Sequence, residues 1–267
     1  MYVNVFSFSG VYPDEDFWRM SDDPAGNADV RFFDLSDIGG TNGYLSDEAR
    51  ALILKRTASA PVRAVNFIDN GNTHYMTDIL CGRVTEPFVL VLIDHHTDMQ
   101  PPAFGGLESC GSWVRSALEQ NPMLKGVLIV GPGEESALED CLRAGYAGKP
   151  VILLPEAAAG AETVRSFVTE LSDMCGTDGV YISIDKDILD RDEAVTNWDQ
   201  GGMSSDALAD ILRELVRYAG SRLAGVDICG ECPPRAQYRD DIVPYDAAVR
   251  QNDEINIKLL DILRSYL

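Results

Sequence analysis

The sequence predicts a three-layer α/β/α fold with a central, mostly parallel sheet covered on both faces by helices. Short β-branched apolar runs recur along the chain, and amphipathic segments stand between most of them. Acid- and histidine-rich clusters begin where several of those runs end. Near-continuous apolar strands need cover on both faces, which points to parallel pairing. Sheets of that kind carry their chemistry in loops outside the carboxyl ends of the strands.

In chain order, the β-branched runs predict strands at Val3–Phe8, Val62–Ile68, Pro87–Ile93, Gly126–Val130, Pro150–Leu154, Gly179–Ile184 and Arg222–Ile228. Helical patterns fall at Ser46–Thr57, Thr73–Cys81, Ser109–Gln120, Glu135–Ala144, Ala161–Met174, Ser205–Ala219 and Asp246–Tyr266. No internal repeat or low-complexity tract interrupts the alternation, so a solenoid is excluded. With 267 residues and 45% apolar content, a single domain over 1–267 is the simplest organisation.

No apolar run approaches the roughly 20 residues that span a bilayer. The opening MYVNVFSFSG lacks the basic region and cleavage site of a secretory signal, so a soluble, cytoplasmic protein is expected. A formal charge of −21 repels nucleic-acid backbones and anionic membranes. The same field would draw in a cationic small molecule, but it serves equally as a solubility device. Cys81, Cys110, Cys141, Cys175, Cys229 and Cys232 sit in a chain large enough to need no disulfide. Cys229 and Cys232 form one isolated CxxC, weak grounds for zinc or redox chemistry, and free buried thiols are expected.

The chemistry concentrates in three clusters. In FVLVLIDHHTDMQ the apolar run Val89–Ile93 leads into Asp94, His96 and Asp98, spaced by two and so projecting to one side of an extended segment. Two carboxylates and an imidazole on one side suit Mn²⁺, Zn²⁺ or Fe²⁺, although an Asp-rich loop also caps helices. GVYISIDKDILD repeats the design with Asp185 and Asp187, whose charges would repel if left unpaired, and a cation between the clusters resolves this. Lys186 lies between the two acids but points the opposite way. NFIDNGNTHYMTDIL supplies His74 at the start of a helix after another strand. The chain holds three histidines, and all of them follow predicted strands at the same edge of the sheet.

These segments resemble the arginase, agmatinase and formiminoglutamase family of ureohydrolases. The family's GGDHS is similar to Gly71-Asn72-Thr73-His74-Tyr75, its DAHxD to Asp94-His95-His96-Thr97-Asp98, and its SxDxDxxDP to Ser183 through Asp190. Gly201-Gly202-Met203-Ser204 resembles the GGL that follows, and Glu231-Cys232-Pro233-Pro234 resembles EVNP. The resemblance implies a sheet of about eight strands. It implies one metal held by His74, Asp94, Asp98 and Asp185, and a second held by His96, Asp94, Asp185 and Asp187. Two divalent ions, Mn²⁺ foremost, would share a water and lower its pKa towards about 7. The implied reaction is hydrolysis of a C–N bond in a linear, cationic guanidino or amidino substrate. Asp98 would move the proton to the leaving nitrogen, and Glu231 would orient the substrate. Assembly as a homo-oligomer is left open by analogy alone.

The chain departs from the family at named positions. The loop Phe104–Trp113 lacks the family's further histidine, and Glu108, Cys110 and Ser112 are the residues available to stand in for it. Thr73 replaces the aspartate of GGDHS, Arg191 replaces the proline after the second aspartate motif, and the loop Gly131–Glu135 is short. A changed substrate is the mild consequence, and a catalytically idle, metal-stabilised scaffold is the severe one. Metallophosphoesterases share GNTH-like and DHH-like pieces but order them differently and need more histidines. Zinc deacetylases use one metal, which retention of His74 and Asp98 argues against.

Overall fold

The computed structural model describes residues 1–19, 28–102, 105–132, 145–234 and 243–264. Its strands are β1 (Tyr2–Ser7), β2 (Asp29–Asp34), β3 (Tyr44–Leu45), β4 (Val65–Phe67), β5 (Phe88–Ile93), β6 (Glu108–Ser109), β7 (Leu124–Gly131), β8 (Val151–Pro155), β9 (Val180–Asp185) and β10 (Leu223–Cys229). Its helices are α1 (Asp47–Arg56), α2 (Met76–Cys81), α3 (Trp113–Gln120), α4 (Ala161–Cys175), α5 (Ser205–Ala219) and α6 (Tyr245–Arg264). Eight strands form one sheet in the order β2-β1-β4-β10-β9-β5-β7-β8, every pair parallel.

Two-sided burial follows from strand alternation. All six residues of β5 are buried, with Val89, Val91 and Ile93 entering one core and Phe88, Leu90 and Leu92 the other. The first core is roofed by α4, α5 and α6, which contribute Val164, Val168, Leu208, Leu212, Leu259 and Leu263. The second is closed by α1, α2 and α3 through Ile53, Ile79, Leu80, Val114 and Leu118. In α5 the buried residues Leu208, Ile211, Leu212 and Leu215 keep the helical spacing of one face, and Ser204 Oγ caps the helix by accepting from Ala207 N at 3.2 Å. The result is the three-layer α/β/α fold that the alternation predicts.

Three differences have physical reasons. Strand β2 was not anticipated: as an edge strand bonded to β1 alone, it carries the charged residues Asp29, Arg31 and Asp34 and lacks an apolar run. The short antiparallel pair β3–β6 is held by local loop contacts and has no periodicity to read. Helices α2 and α3 begin at Met76 and Trp113, later than expected, because a 3-10 turn at Gly71–Thr73 precedes one and β6 the other. The expected helix Glu135–Ala144 lies outside the described residues. No helix among the described residues is long and apolar enough to cross a membrane.

Candidate metal centre

Four neighbouring strands in the middle of the sheet, β4, β10, β9 and β5, end at the same edge. After β4 the chain turns at Asp69, a left-handed residue whose buried carboxylate accepts from Phe8 N, Ser9 N and Asn70 N, and the 3-10 turn then presents His74. Strand β5 runs straight into Asp94. Strand β9 ends on Asp185, whose side chain caps a second 3-10 turn by accepting from Asp187 N at 3.0 Å.

The structure brings His74, Asp94, His96, Asp98, Asp185 and Asp187 into one cluster. His74 Nδ1 lies 3.2 Å from Asp94 Oδ2, 3.0 Å from Asp98 Oδ2 and 3.5 Å from Asp185 Oδ2. His96 Nδ1 lies 2.9 Å from Asp187 Oδ2 and 3.5 Å from Asp94 Oδ1. Two groups able to hold a cation thus share Asp94, one made with His74 and Asp98, the other with His96 and Asp187. Asp98 reaches His74 from a left-handed backbone (φ 49°), a conformation that Asp tolerates better than most residues.

A surrounding layer orients these groups, and most of it escaped sequence reasoning. Each imidazole presents Nδ1 inward and is anchored through Nε2. For His74 the anchor is Ser183 Oγ at 2.9 Å, and for His96 it is Asp199 Oδ1 at 3.2 Å. Such outer bonds fix ring orientation and tautomer at metal sites. Trp113 Nε1 donates to Asp98 Oδ2 at 2.5 Å. Trp198 lies edge-on to His96 at 5.6 Å and donates to Asn72 Oδ1 at 2.9 Å. Gly71 permits this, because a Cβ there would sit 2.6 Å from the Trp198 ring. Beneath Ser183 runs a buried polar row across the sheet: Asn4 Nδ2 donates to Asn66, Asn66 Nδ2 to Asp227, and Tyr181 Oη to both Asp227 oxygens. The available signal was a polar residue inside each otherwise apolar strand.

Charge decides what the cluster needs. Burial and the charges of Asp185 and Asp94 push the Asp187 carboxyl well up, and burial with the Asp94 charge pushes Asp98 up to about 6. Burial works against ionising Asp94 as well, but the two imidazoles beside it outweigh it and hold this carboxyl low. His96 is pushed up to about 12: burial opposes, and the bonds to Asp187 and Asp94 prevail. Asp94 Oδ2 is buried and accepts no hydrogen bond even so. A metal ligand must give up its proton, and once the imidazoles are neutral the four carboxylates carry the charge that two divalent cations would cancel; the oxygen and nitrogen donors suit such ions.

The chain matches the family model described as "Arginase family" over residues 72–243. It belongs to the arginase family. An uncharacterized protein of Thermotoga maritima is 29% identical over 199 residues, which are 74% of this chain and 67% of that protein. Among solved structures, formimidoylglutamase of Bacillus subtilis superposes with a TM-score of 0.68 at 16% identity, covering 98% of this chain and 86% of that one. Proclavaminate amidino hydrolase of Streptomyces clavuligerus gives a TM-score of 0.64 at 17% identity, covering 100% and 92%. A formiminoglutamase of Trypanosoma cruzi with Mn²⁺ gives 0.63 at 13% identity, covering 98% and 93%. At these identities the likeness shows a shared fold.

Within this arginase-family chain, Glu231 faces the protein interior. It is fully buried, and it accepts from Lys186 Nζ and from Asn256 Nδ2, the latter at 2.8 Å. Lys186 does point away from its flanking aspartates, and its role is now visible as the counter-ion of Glu231. Asn256 Nδ2 also reaches Glu15 Oε2 at 3.0 Å, and burial together with the Glu231 charge pushes Glu15 well up. The backbone explains the direction of Glu231. Gly230 has φ 96°, and a Cβ there would lie 2.6 Å from Asp185 Oδ1.

Of the loop positions without histidine, Glu108 is tied to Arg50 Nη2 at 2.7 Å, and Ser112 Oγ accepts from Ser109 N at 2.9 Å. Cys110 is the one that senses the cluster: burial and the Asp98 charge push its thiol up to about 12. Thr73 bonds the Ile68 and Asn70 carbonyls and serves the turn.

Proposed function

We propose that this single-domain, cytoplasmic chain is a binuclear metal-dependent hydrolase of the ureohydrolase type, cleaving a C–N bond of a linear guanidino or amidino compound. The observation that carries this is the pair of ligand groups joined through Asp94, built from three separate segments. His74, Asp94, Asp98 and Asp185 would hold one ion, and His96, Asp94, Asp185 and Asp187 the other. Mn²⁺ matches the oxygen-rich donors and is the ion named with the T. cruzi relative. When bound, a pair of divalent ions supplies positive charge and acidifies water near neutrality.

The chain's own groups do the rest. Asp98, held by Trp113, is the group assigned to hold and pass a proton to the leaving nitrogen. At the mouth stand the exposed Trp198 and the Asp199 carboxylate, which offer a π face and a negative charge to a cationic substrate. Glu231 presents no oxygen to solvent while Lys186 holds it, and for this chain we assign it to supporting the Asp185–Asp187 turn.

The burial of Glu231 also favours a second reading, a catalytically idle metal-binding scaffold. Turnover separates the two. The Mn²⁺-loaded protein, screened against guanidino and amidino compounds, is expected to release urea, ammonia or an amide with at least one of them. Full metal loading with no product from any compound establishes the scaffold reading instead.

A further inference from the structure

Among the described residues, Cys229 is the member of the cluster's own donor groups that the proposed reaction leaves unused. It ends β10 beside β9, fully buried, and its Sγ lies 3.1 Å from Asp185 Oδ2. Sulfur, His74 and Asp185 form a third group whose donor atoms all lie within 4.8 Å of one another. The same side of the cluster holds the buried Asp94 Oδ2, which accepts no hydrogen bond and faces His74 Nδ1 at 3.2 Å. Among the described residues no equivalent thiol joins the other half: His96, Asp94 and Asp187 form a group of nitrogen and oxygen alone.

We infer that Cys229 Sγ is a metal donor, which makes the two halves of the centre inequivalent: the His74 half takes a thiophilic ion of the zinc class, and the His96 half keeps a harder ion such as Mn²⁺. This rests on the binuclear reading above and deepens it. Zinc, iron and cobalt accept thiolate with imidazole and carboxylate, whereas Mn²⁺ favours oxygen. On coordination the thiol proton leaves to solvent, as metal binding to cysteine requires. The cation then replaces the hydrogen bond that Sγ donates to Asp185.

Cobalt reports sulfur directly, because a thiolate bound to Co²⁺ gives an intense near-ultraviolet charge-transfer absorption. The full-length protein, stripped by chelator and reloaded with Co²⁺, is expected to show that band. Cys110→Ala should keep it, and Cys229→Ala should lose it at unchanged cobalt content. In competition assays, Cys229→Ala should lower the preference for Zn²⁺ over Mn²⁺ by at least about tenfold. If Cys229→Ala does not fold, Cys229→Ser takes its place, since a hydroxyl gives no such band. Wild-type protein that binds two cobalt ions without the band overturns the inference and leaves the binuclear reading standing. A band that survives substitution of Cys229 also overturns it. Protein that binds no cobalt overturns both.

Discussion

The two halves of the cluster share one aspartate and differ in everything around it. The His74 half is sealed: its imidazole is 2% exposed and leans on Ser183, Trp113 and Cys229. The His96 half sits at the rim: its imidazole is 31% exposed and is steadied by Asp199, itself 70% exposed. The difference assigns labour. Buried donors lose nothing to water and fix geometry in a low-dielectric surround, whereas rim donors stay open to an incoming molecule and to solvent. On the function proposed above, the deep group would fix the centre and the rim group would face the incoming substrate.

The largest effect expected is the loss of both halves together. Asp94→Asn removes the charge common to them, so neither Mn²⁺ equivalent should remain after dialysis, with circular dichroism close to wild type. Two equivalents still bound would show that the halves do not share this residue. Next in size is the support behind the sealed half. Lys186→Met leaves Glu231 buried without its cation, and breaking such a pair costs about 3–5 kcal/mol. Urea denaturation measures this, and Lys186→Met combined with Glu231→Gln should recover most of it. A loss below about 1 kcal/mol would mean that the pair is not holding the turn.

The ligands of both halves were easier to read from sequence than the residues that hold them in place. Asp94, His96, Asp98, Asp185 and Asp187 stand out because apolar strands stop abruptly at them, and His74 because histidine is scarce in this chain. The layers of the fold were legible for the same reason, since continuous apolar strands must be covered on both sides. What stayed hidden was pairing across distance. Lys186 meets Glu231 and Asn256, 45 and 70 residues away, and nothing local marks either partner. Asp199 and Trp198 lie on an irregular stretch with no period. Cys229 was legible only as half of an isolated CxxC and a free buried thiol, because such a thiol packs like an apolar residue. Ser183 and Asp227 did leave a mark, as polar residues inside apolar strands, but their meaning depends on the register that aligns them.

The smallest effects test the depth difference itself. Ser183→Ala leaves His74 Nε2 with its buried partner removed, which costs about 1–3 kcal/mol. The metal equivalent on the His74 half should weaken accordingly, by roughly a factor of 30 at the middle of that range, while the other equivalent is retained. Asp199→Asn removes a formal charge from His96 Nε2, which at first sight is the harsher change. Its exposure reverses the order, because water replaces the lost acceptor and solvent screens the lost charge. The expected cost is under about 1 kcal/mol, confined to the His96 equivalent. Isothermal titration of Mn²⁺ into each variant gives the two affinities separately. Should Asp199→Asn prove the more damaging, the rim is drier than its exposure implies, and the assignment of the His96 half as the open one fails.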